Sequence, residues 1–184
     1  GGTVFPQHHV LEIAETARRL NLALHLDGAR LWNAAVASGS TEAELAAPFD
    51  TVSACFSKGL GAPVGSVLAG SSEQMRRARR FRKMLGGALR QSGVLAAAAL
   101  YALEHQRARL AEDHQNARRM AEILERSPSV LSRADEVQTN MVLVQLVEPR
   151  AKEVLQIAEA QGVLAHAITT HSIRLVSHLD LSAA

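Results

Sequence analysis

Short apolar runs alternate with longer segments of helical periodicity along this chain, and this alternation limits the folds it can adopt. Each run is too short for a stable helix and ends at a residue that turns the chain. Strands that alternate with helices form βα units around a largely parallel sheet. The sequence therefore predicts an α/β fold. The predicted strands are residues 22–26, 51–56, 64–69, 139–146, 163–165 and 173–177, and the predicted helices are residues 6–20, 29–37, 72–84, 94–104, 105–125 and 149–161.

Local signals refine this prediction. Thr41 and Glu44 have the spacing of a capping box, which predicts another short helix. The segment 94–104 is rich in alanine, so we expect a buried helix there. The long helix at 105–125 links two α/β pieces. We therefore predict a first domain over residues 1–105 and a second, smaller domain over residues 106–184.

Composition excludes several classes of protein. Apolar residues make up 47% of the chain and charged residues 21%, which excludes a disordered chain. One cysteine excludes a disulfide framework and a cysteine-rich zinc site. No uncharged apolar stretch reaches the ~18 residues of a membrane span. Aromatic residues are only 3%, which argues against base stacking with nucleic acid. With no signal peptide visible, we expect a cytoplasmic protein.

Lys58 is conspicuous because lysine is rare here: Lys58, Lys83 and Lys152 are the lysines among 20 basic residues. It follows an apolar run and precedes a turn rich in glycine and proline, so we expect it to be poorly solvated. Desolvation lowers the pKa of an ammonium group, and a neutral amine can attack a carbonyl. The alternative is an ordinary lysine on a surface loop.

Asp27 ends another apolar run, and ligands bind beyond the carboxyl ends of parallel strands. A buried carboxylate needs a partner, and a protonated pyridine nitrogen would serve. Three alternatives stay open. Asp27 could cap a helix that begins at Ala29, pair with Arg30, or bind a metal together with His25. No third ligand follows at a sensible spacing, so we predict no metal site.

Basic residues mark three further places. The helix at 72–84 carries six cations within residues 76–83, which suits either nucleic acid or a solvated face, and we favour the latter. A glycine-rich stretch followed by Arg90 can hold an anion such as phosphate. Arg174 lies among apolar residues, so we expect a carboxylate partner from the protein or from a ligand.

Six segments together resemble the low-specificity L-threonine aldolases, which are pyridoxal 5'-phosphate (PLP) enzymes with the aspartate-aminotransferase type of fold. The segments are HLDGARLWNA (25–34), CFSKGLGAPVGS (55–66), RKMLGGALRQSG (82–93), DHQNA (113–117), TNMV (139–142) and RLVSHLD (174–180). They follow the family order along the whole chain. Ala88 stands where the family often has a third glycine. The resemblance implies a type I fold of PLP-dependent transferases, with part of a large domain and a smaller C-terminal domain.

The resemblance also implies roles for individual residues. Lys58 would hold PLP, and Asp27 would pair with its ring nitrogen. Arg30 would lie beside the ring or the substrate carboxylate. The remaining roles are Ser57 and Arg90 near the phosphate, Arg174 at the substrate carboxylate, and Lys83 as an active-site neighbour from an adjacent subunit.

The implied reaction is aldol cleavage of L-threonine or L-allo-threonine to glycine and acetaldehyde, by a dimer or tetramer with no nucleic-acid or membrane partner. One alternative is another PLP lyase, such as a β-eliminating amino-acid lyase. A distant third is a basic nucleic-acid-binding module without catalysis. The family extends beyond both ends of this chain, with a phosphate-binding loop before it and a helix after it. We therefore expect the 184-residue piece alone to be inactive and poorly soluble.

Overall fold

The computed structural model describes residues 2–182, which form two compact units. The N-terminal unit is Phe5–Ala108, and the C-terminal unit combines residues 2–4 with residues 109–182. No helix in the described range is long and apolar enough to cross a membrane.

The N-terminal unit contains all the elements predicted for its part of the chain, with small shifts at their ends. Its elements are α1 Gln7–Arg19, β1 His25–Gly28, α2 Leu31–Ser38, α3 Glu42–Ala46, β2 Thr51–Cys55, β3 Ser66–Gly70, α4 Ser72–Met84 and α5 Gly93–His105. β1 starts later than predicted because the N–H of Leu22 still donates to the carbonyl of Ala17, which completes the end of α1.

Side-chain caps explain why two of these helices begin where they do. The N–H of Glu44 donates to Thr41 Oγ1 over 3.2 Å, and the N–H of Thr41 donates to Glu44 Oε2 over 2.8 Å. The predicted capping box is therefore present at α3. Ser71 and Gln74 form the same reciprocal pair at the start of α4. Each pair satisfies two N–H groups that the first turn of a helix leaves without partners.

The sheet of the N-terminal unit has the order β1-β2-β3. β1 and β2 are parallel, with Asp27 opposite Ser53, whereas β3 runs antiparallel to β2. The antiparallel pair forms because a loop without a crossover helix joins β2 to β3. The sheet is thus mixed, where the sequence predicts a mainly parallel one.

The two faces of the β1–β2 pair differ because side chains alternate along a strand. Leu26, Val52 and Ala54 lie on one face and pack with α2 and α3 through a core of Leu31, Ala35, Leu45 and Ala54. His25, Asp27, Thr51 and Ser53 occupy the other face. The core therefore supports the sheet from one side and leaves a polar surface on the other.

α5 corrects one prediction. The alanine-rich segment is helical as predicted, but only its Ala99 and Ala102 are buried, and Leu100 and Tyr101 are more than half exposed. Alanine favours a helix without indicating which side faces the core. The predicted helix at 105–125 is also shorter, because residues 106–109 form turns between α5 and the next helix.

The C-terminal unit packs helices on a second sheet. Its elements are α6 Leu110–Leu124, a 3-10 helix at Ala134–Glu136, β4 Met141–Gln145, α7 Ala151–Ala160, β5 His166–Ala167 and β6 Ser172–Val176. The sheet order is β4-β6-β5, and both pairings are antiparallel. Its core contains Ala117 and Ala121 of α6 with Val142, Val144 and Ile173 of the sheet. β5 lies after the predicted residues 163–165 because the N–H of Val163 donates to Ala158 at the end of α7.

Candidate active site

Asp27 is the third residue of β1, and Lys58 follows the end of the neighbouring strand β2 by three residues. β1 and β2 run in the same direction, and Asp27 and Lys58 lie towards the carboxyl end of each. The carboxyl ends of parallel neighbours meet at one edge of a sheet, where ligands of α/β proteins bind. The register therefore brings the segments that carry the two residues to one edge.

The surroundings of Asp27 test whether it caps a helix or pairs with Arg30. Its side chain is exposed, and its Oδ1 accepts a 3.2 Å hydrogen bond from the N–H of Ala29. α2 begins at Leu31 with Arg30 as its N-cap, so Asp27 does not cap the helix. No ion pair joins Asp27 to Arg30 among the described residues. The expected burial of Asp27 is wrong, and its carboxylate retains acceptor capacity for a ligand.

Lys58 is exposed, so the expectation that it is poorly solvated is wrong. β2 ends at Cys55, and the chain then forms a tight turn in which the N–H of Gly61 donates to the carbonyl of Lys58 over 2.8 Å. Leu60 and Ala62 take the buried positions of this loop instead. Within residues 2–182 the side chain of Lys58 has no hydrogen-bond or ion-pair partner.

His25 binds two hydroxyl groups of the polar face and does not join a metal cluster. Its Nδ1 lies 2.9 Å from Thr51 Oγ1, and its Nε2 lies 3.4 Å from Ser53 Oγ. No group of three or more potential metal ligands occurs in the described part of the chain. Thr51 and Ser53 are site neighbours that the sequence analysis missed. The alternation of Thr51, Ser53 and Cys55 along β2 is the signal that could have identified them.

The other predicted cofactor residues are more widely spread. Arg30 is half-buried at the start of α2, and Ser57 is exposed directly before Lys58. Lys83 is in the last turn of α4, Arg90 is between α4 and α5, and both side chains are exposed. Within residues 2–182, no hydrogen bond or ion pair joins either of them to Asp27 or Lys58.

Arg174 belongs to the C-terminal unit and lies on the central strand of its sheet. It is exposed, opposite Leu143 of β4 and His166 of β5. The described residues give its guanidinium no acidic partner, so the alternative of an internal salt bridge is wrong. An exposed guanidinium on this face can bind a carboxylate from a ligand through two parallel hydrogen bonds.

Residues from three of the family-like segments form a buried polar network in the C-terminal unit. Asp113 is fully buried and receives hydrogen bonds of 3.0 and 2.7 Å from the guanidinium of Arg109. The Ser177 hydroxyl donates to the carbonyl of Asp113, and Asn140 Nδ2 donates to the carbonyl of Ser177 over 2.9 Å. These bonds connect α6 to the ends of β4 and β6, so the residues stabilise the unit.

Comparison with known proteins supplies the family. A family model described as "Beta-eliminating lyase" matches residues 1–147. The low specificity L-threonine aldolase of Escherichia coli O157:H7 is 47% identical over 181 residues, which cover 98% of this chain and 53% of that protein. The probable low-specificity L-threonine aldolase 2 of Arabidopsis thaliana is 43% identical over 185 residues, covering 99% of this chain and 52% of that protein.

A solved structure agrees with these sequence matches. The putative L-allo-threonine aldolase from Listeria monocytogenes EGD-E has a TM-score of 0.83 and 27% identity, over 98% of this chain and 52% of that chain. The chain spans about half the length of the curated relatives it matches. The predicted fold class and the resemblance to low-specificity L-threonine aldolases are confirmed, and the chain belongs to the beta-eliminating lyase family.

Proposed function

We propose that this chain is part of a PLP-dependent lyase that cleaves L-threonine or L-allo-threonine to glycine and acetaldehyde. The observation that carries the proposal is the pair of Asp27 and Lys58, each towards the carboxyl end of one of two parallel strands. The names of relatives that are 47% and 43% identical to this chain support the choice of substrate.

Asp27 and Lys58 have the polar groups that PLP binding requires, and these groups have room for a further partner. The Asp27 carboxylate is exposed, and one backbone N–H donates to it, so it can accept from a ring N–H. The Lys58 amine has no partner within residues 2–182, so it can hold an aldehyde covalently. Ser57, Arg30 and Arg90 are the further candidates for phosphate or ring contacts. We assign cofactor binding to the N-terminal unit on this basis.

Each residue would then have a distinct task. When bound, PLP supplies an electron sink for the electron pair released as the Cα–Cβ bond breaks. The negative charge of Asp27 keeps a proton on the ring nitrogen. Lys58 Nζ would bind the aldehyde of the cofactor and, when not bonded to it, would hold or return a proton. Arg174 binds the substrate carboxylate, and Arg30 and Lys83 are further candidates for contacts with the substrate.

Lysine substitution tests the attachment site directly, because this chain has three lysines. The full-length protein containing this chain is loaded with PLP and reduced with borohydride, and its peptides are identified by mass spectrometry. We expect the label on Lys58 and its loss in Lys58→Ala, with Lys152→Ala as the matched control. A label retained in Lys58→Ala, on Lys83 or elsewhere, would refute the assignment.

Product analysis separates aldol cleavage from the alternative suggested by the family description. Aldol cleavage of threonine gives glycine and an aldehyde, whereas β-elimination gives ammonia and a keto acid. We expect glycine and acetaldehyde in equal amounts. Release of ammonia without glycine would instead support a β-eliminating lyase.

We also propose that the full-length protein is cytoplasmic and forms a dimer or a tetramer.

A further inference from the structure

Trp32 connects the segment that follows Asp27 to the segment that precedes Lys58. It is half-buried in the first turn of α2, and its indole Nε1 donates a 2.9 Å hydrogen bond to the carbonyl of Cys55 at the end of β2. Its ring also stacks on Phe56, with centroids 6.2 Å apart and planes inclined by 22°. The Trp32 side chain therefore contacts two consecutive residues, Cys55 and Phe56, where β2 ends and the Lys58 loop (residues 56–65) begins.

The backbone of Phe56 forms hydrogen bonds to two later residues of the same loop. Its N–H donates to the carbonyl of Gly65 over 3.0 Å, and its carbonyl accepts from the N–H of Ala62 over 3.1 Å. The ring of Phe56 also lies against Gly65, where an added β-carbon would be 3.6 Å from its Cδ2 atom. Lys58 lies within the loop that these bonds close, so a displacement of Phe56 would move the segment that carries Lys58.

We propose that Trp32 is a positioning residue that fixes Lys58 relative to Asp27 through the Cys55 carbonyl and the Phe56 ring. The inference rests on the proposed function, since it matters only if both residues bind the same cofactor. The ring nitrogen and the aldehyde carbon of a pyridine cofactor are held at fixed positions on one rigid ring. Two groups that bind such a ring must be held within about 0.5 Å of the productive geometry.

Two substitutions separate the hydrogen bond from the stacking contact. Trp32→Phe keeps an aromatic ring near Phe56 but loses the N–H donor, whereas Trp32→Leu loses both. The rate of covalent capture of PLP by Lys58, followed by absorbance in the full-length protein, should fall about fivefold in Trp32→Phe, as expected for one lost hydrogen bond. The fall should be larger in Trp32→Leu. Tyr101→Leu, an exposed aromatic position on α5, is the matched control.

A second readout distinguishes positioning from general stability. The pH midpoint of the absorbance of the Lys58–cofactor adduct should shift in both Trp32 variants. Loss of stability alone would lower the free energy of unfolding and leave that midpoint unchanged. Should Trp32→Leu fail to fold, Phe56→Leu tests the same contact and should shift the midpoint in the same direction.

The outcomes separate this inference from the proposed function. Capture of PLP that survives in Lys58→Ala would overturn the proposed function. Capture at Lys58 in the wild type, with unchanged rate and pH midpoint in both Trp32 variants, would overturn the positioning role alone.

Discussion

Gly28 approaches β2 so closely that a β-carbon added to it would lie 2.6 Å from the carbonyl oxygen of Ser53. Leu31 Cβ, at 3.3 Å, closes the other side of this space. We therefore expect Gly28→Ala to separate β1 from β2 and to lower the free energy of unfolding by about 1–3 kcal/mol. Chemical denaturation measures this change. Gly93→Ala is the control, because nothing lies within 4 Å of its added carbon, and an equal effect in both variants would refute the steric argument.

The buried ion pair of Arg109 and Asp113 gives a second prediction. The Asp113 side chain is 0% exposed and that of Arg109 is 16% exposed. Asp113→Ala leaves the guanidinium without its partner and should cost about 3–5 kcal/mol of unfolding free energy. Replacing both residues, as Arg109→Met with Asp113→Leu, should restore most of that loss.

The exposed pair of Arg150 and Glu153 at the start of α7 provides the comparison. Glu153→Ala should cause a much smaller loss, because water solvates both charges when the pair is broken. A loss in Asp113→Ala no larger than in Glu153→Ala would contradict the prediction.

His114 should make the stability of the protein depend on pH. Burial lowers the pKa of His114 from its ordinary value of 6.5, while the Asp113 carboxylate opposes this shift and Arg118 adds to it. The unfolded state then binds the proton more tightly than the folded state does. The contribution to stability is therefore fully present above pH 6.5 and is lost as pH falls through the lower folded pKa.

Urea denaturation across a pH series tests this sign. His114→Asn should reduce the pH dependence of the unfolding free energy below pH 6.5. His8→Asn, at an exposed position on α1, serves as the control. A wild-type protein that becomes more stable as pH falls through this range would show that the sign is wrong for this site.

Arg174→Ala tests the substrate contact in the full-length protein. We expect the KM for threonine to rise and kcat/KM to fall on the order of 10²-fold, because a charge-assisted, two-point contact is lost. PLP binding should change little, since this residue is assigned to the substrate. The exposed Arg126 supplies the control as Arg126→Ala. Loss of PLP with an unchanged KM after reconstitution would overturn the assignment.

Elements with strong end signals could be predicted from the sequence. α4 has the predicted bounds because Ser71 and Gln74 cap its start, and α3 follows the predicted capping box of Thr41 and Glu44. The break between α5 and α6 could not be predicted, since it contains no glycine or proline. There Arg107 pairs with Glu42, which is distant in sequence, and such a contact leaves no local pattern.

The positions of Asp27 and Lys58 relative to the strands could be predicted from the sequence, but their exposure to solvent could not. Asp27 lies near the carboxyl end of β1, and Lys58 follows β2, its parallel neighbour. The exposure of Lys58 depends on which loop residues enter the core, and Leu60 and Ala62 take those positions. The contacts of His25 with Thr51 and Ser53 depend on the register of β1 against β2, which no single segment contains.

The two faces of the β1–β2 pair have different roles in the N-terminal unit. Leu26, Val52 and Ala54 contribute the contacts that hold the strands against the helices, while His25 and Asp27 on the opposite face contribute none of that core. Substitution of a residue on the polar face therefore removes no core packing. The ligand-binding groups on this face can therefore change over evolutionary time without loss of the core contacts that hold the strands.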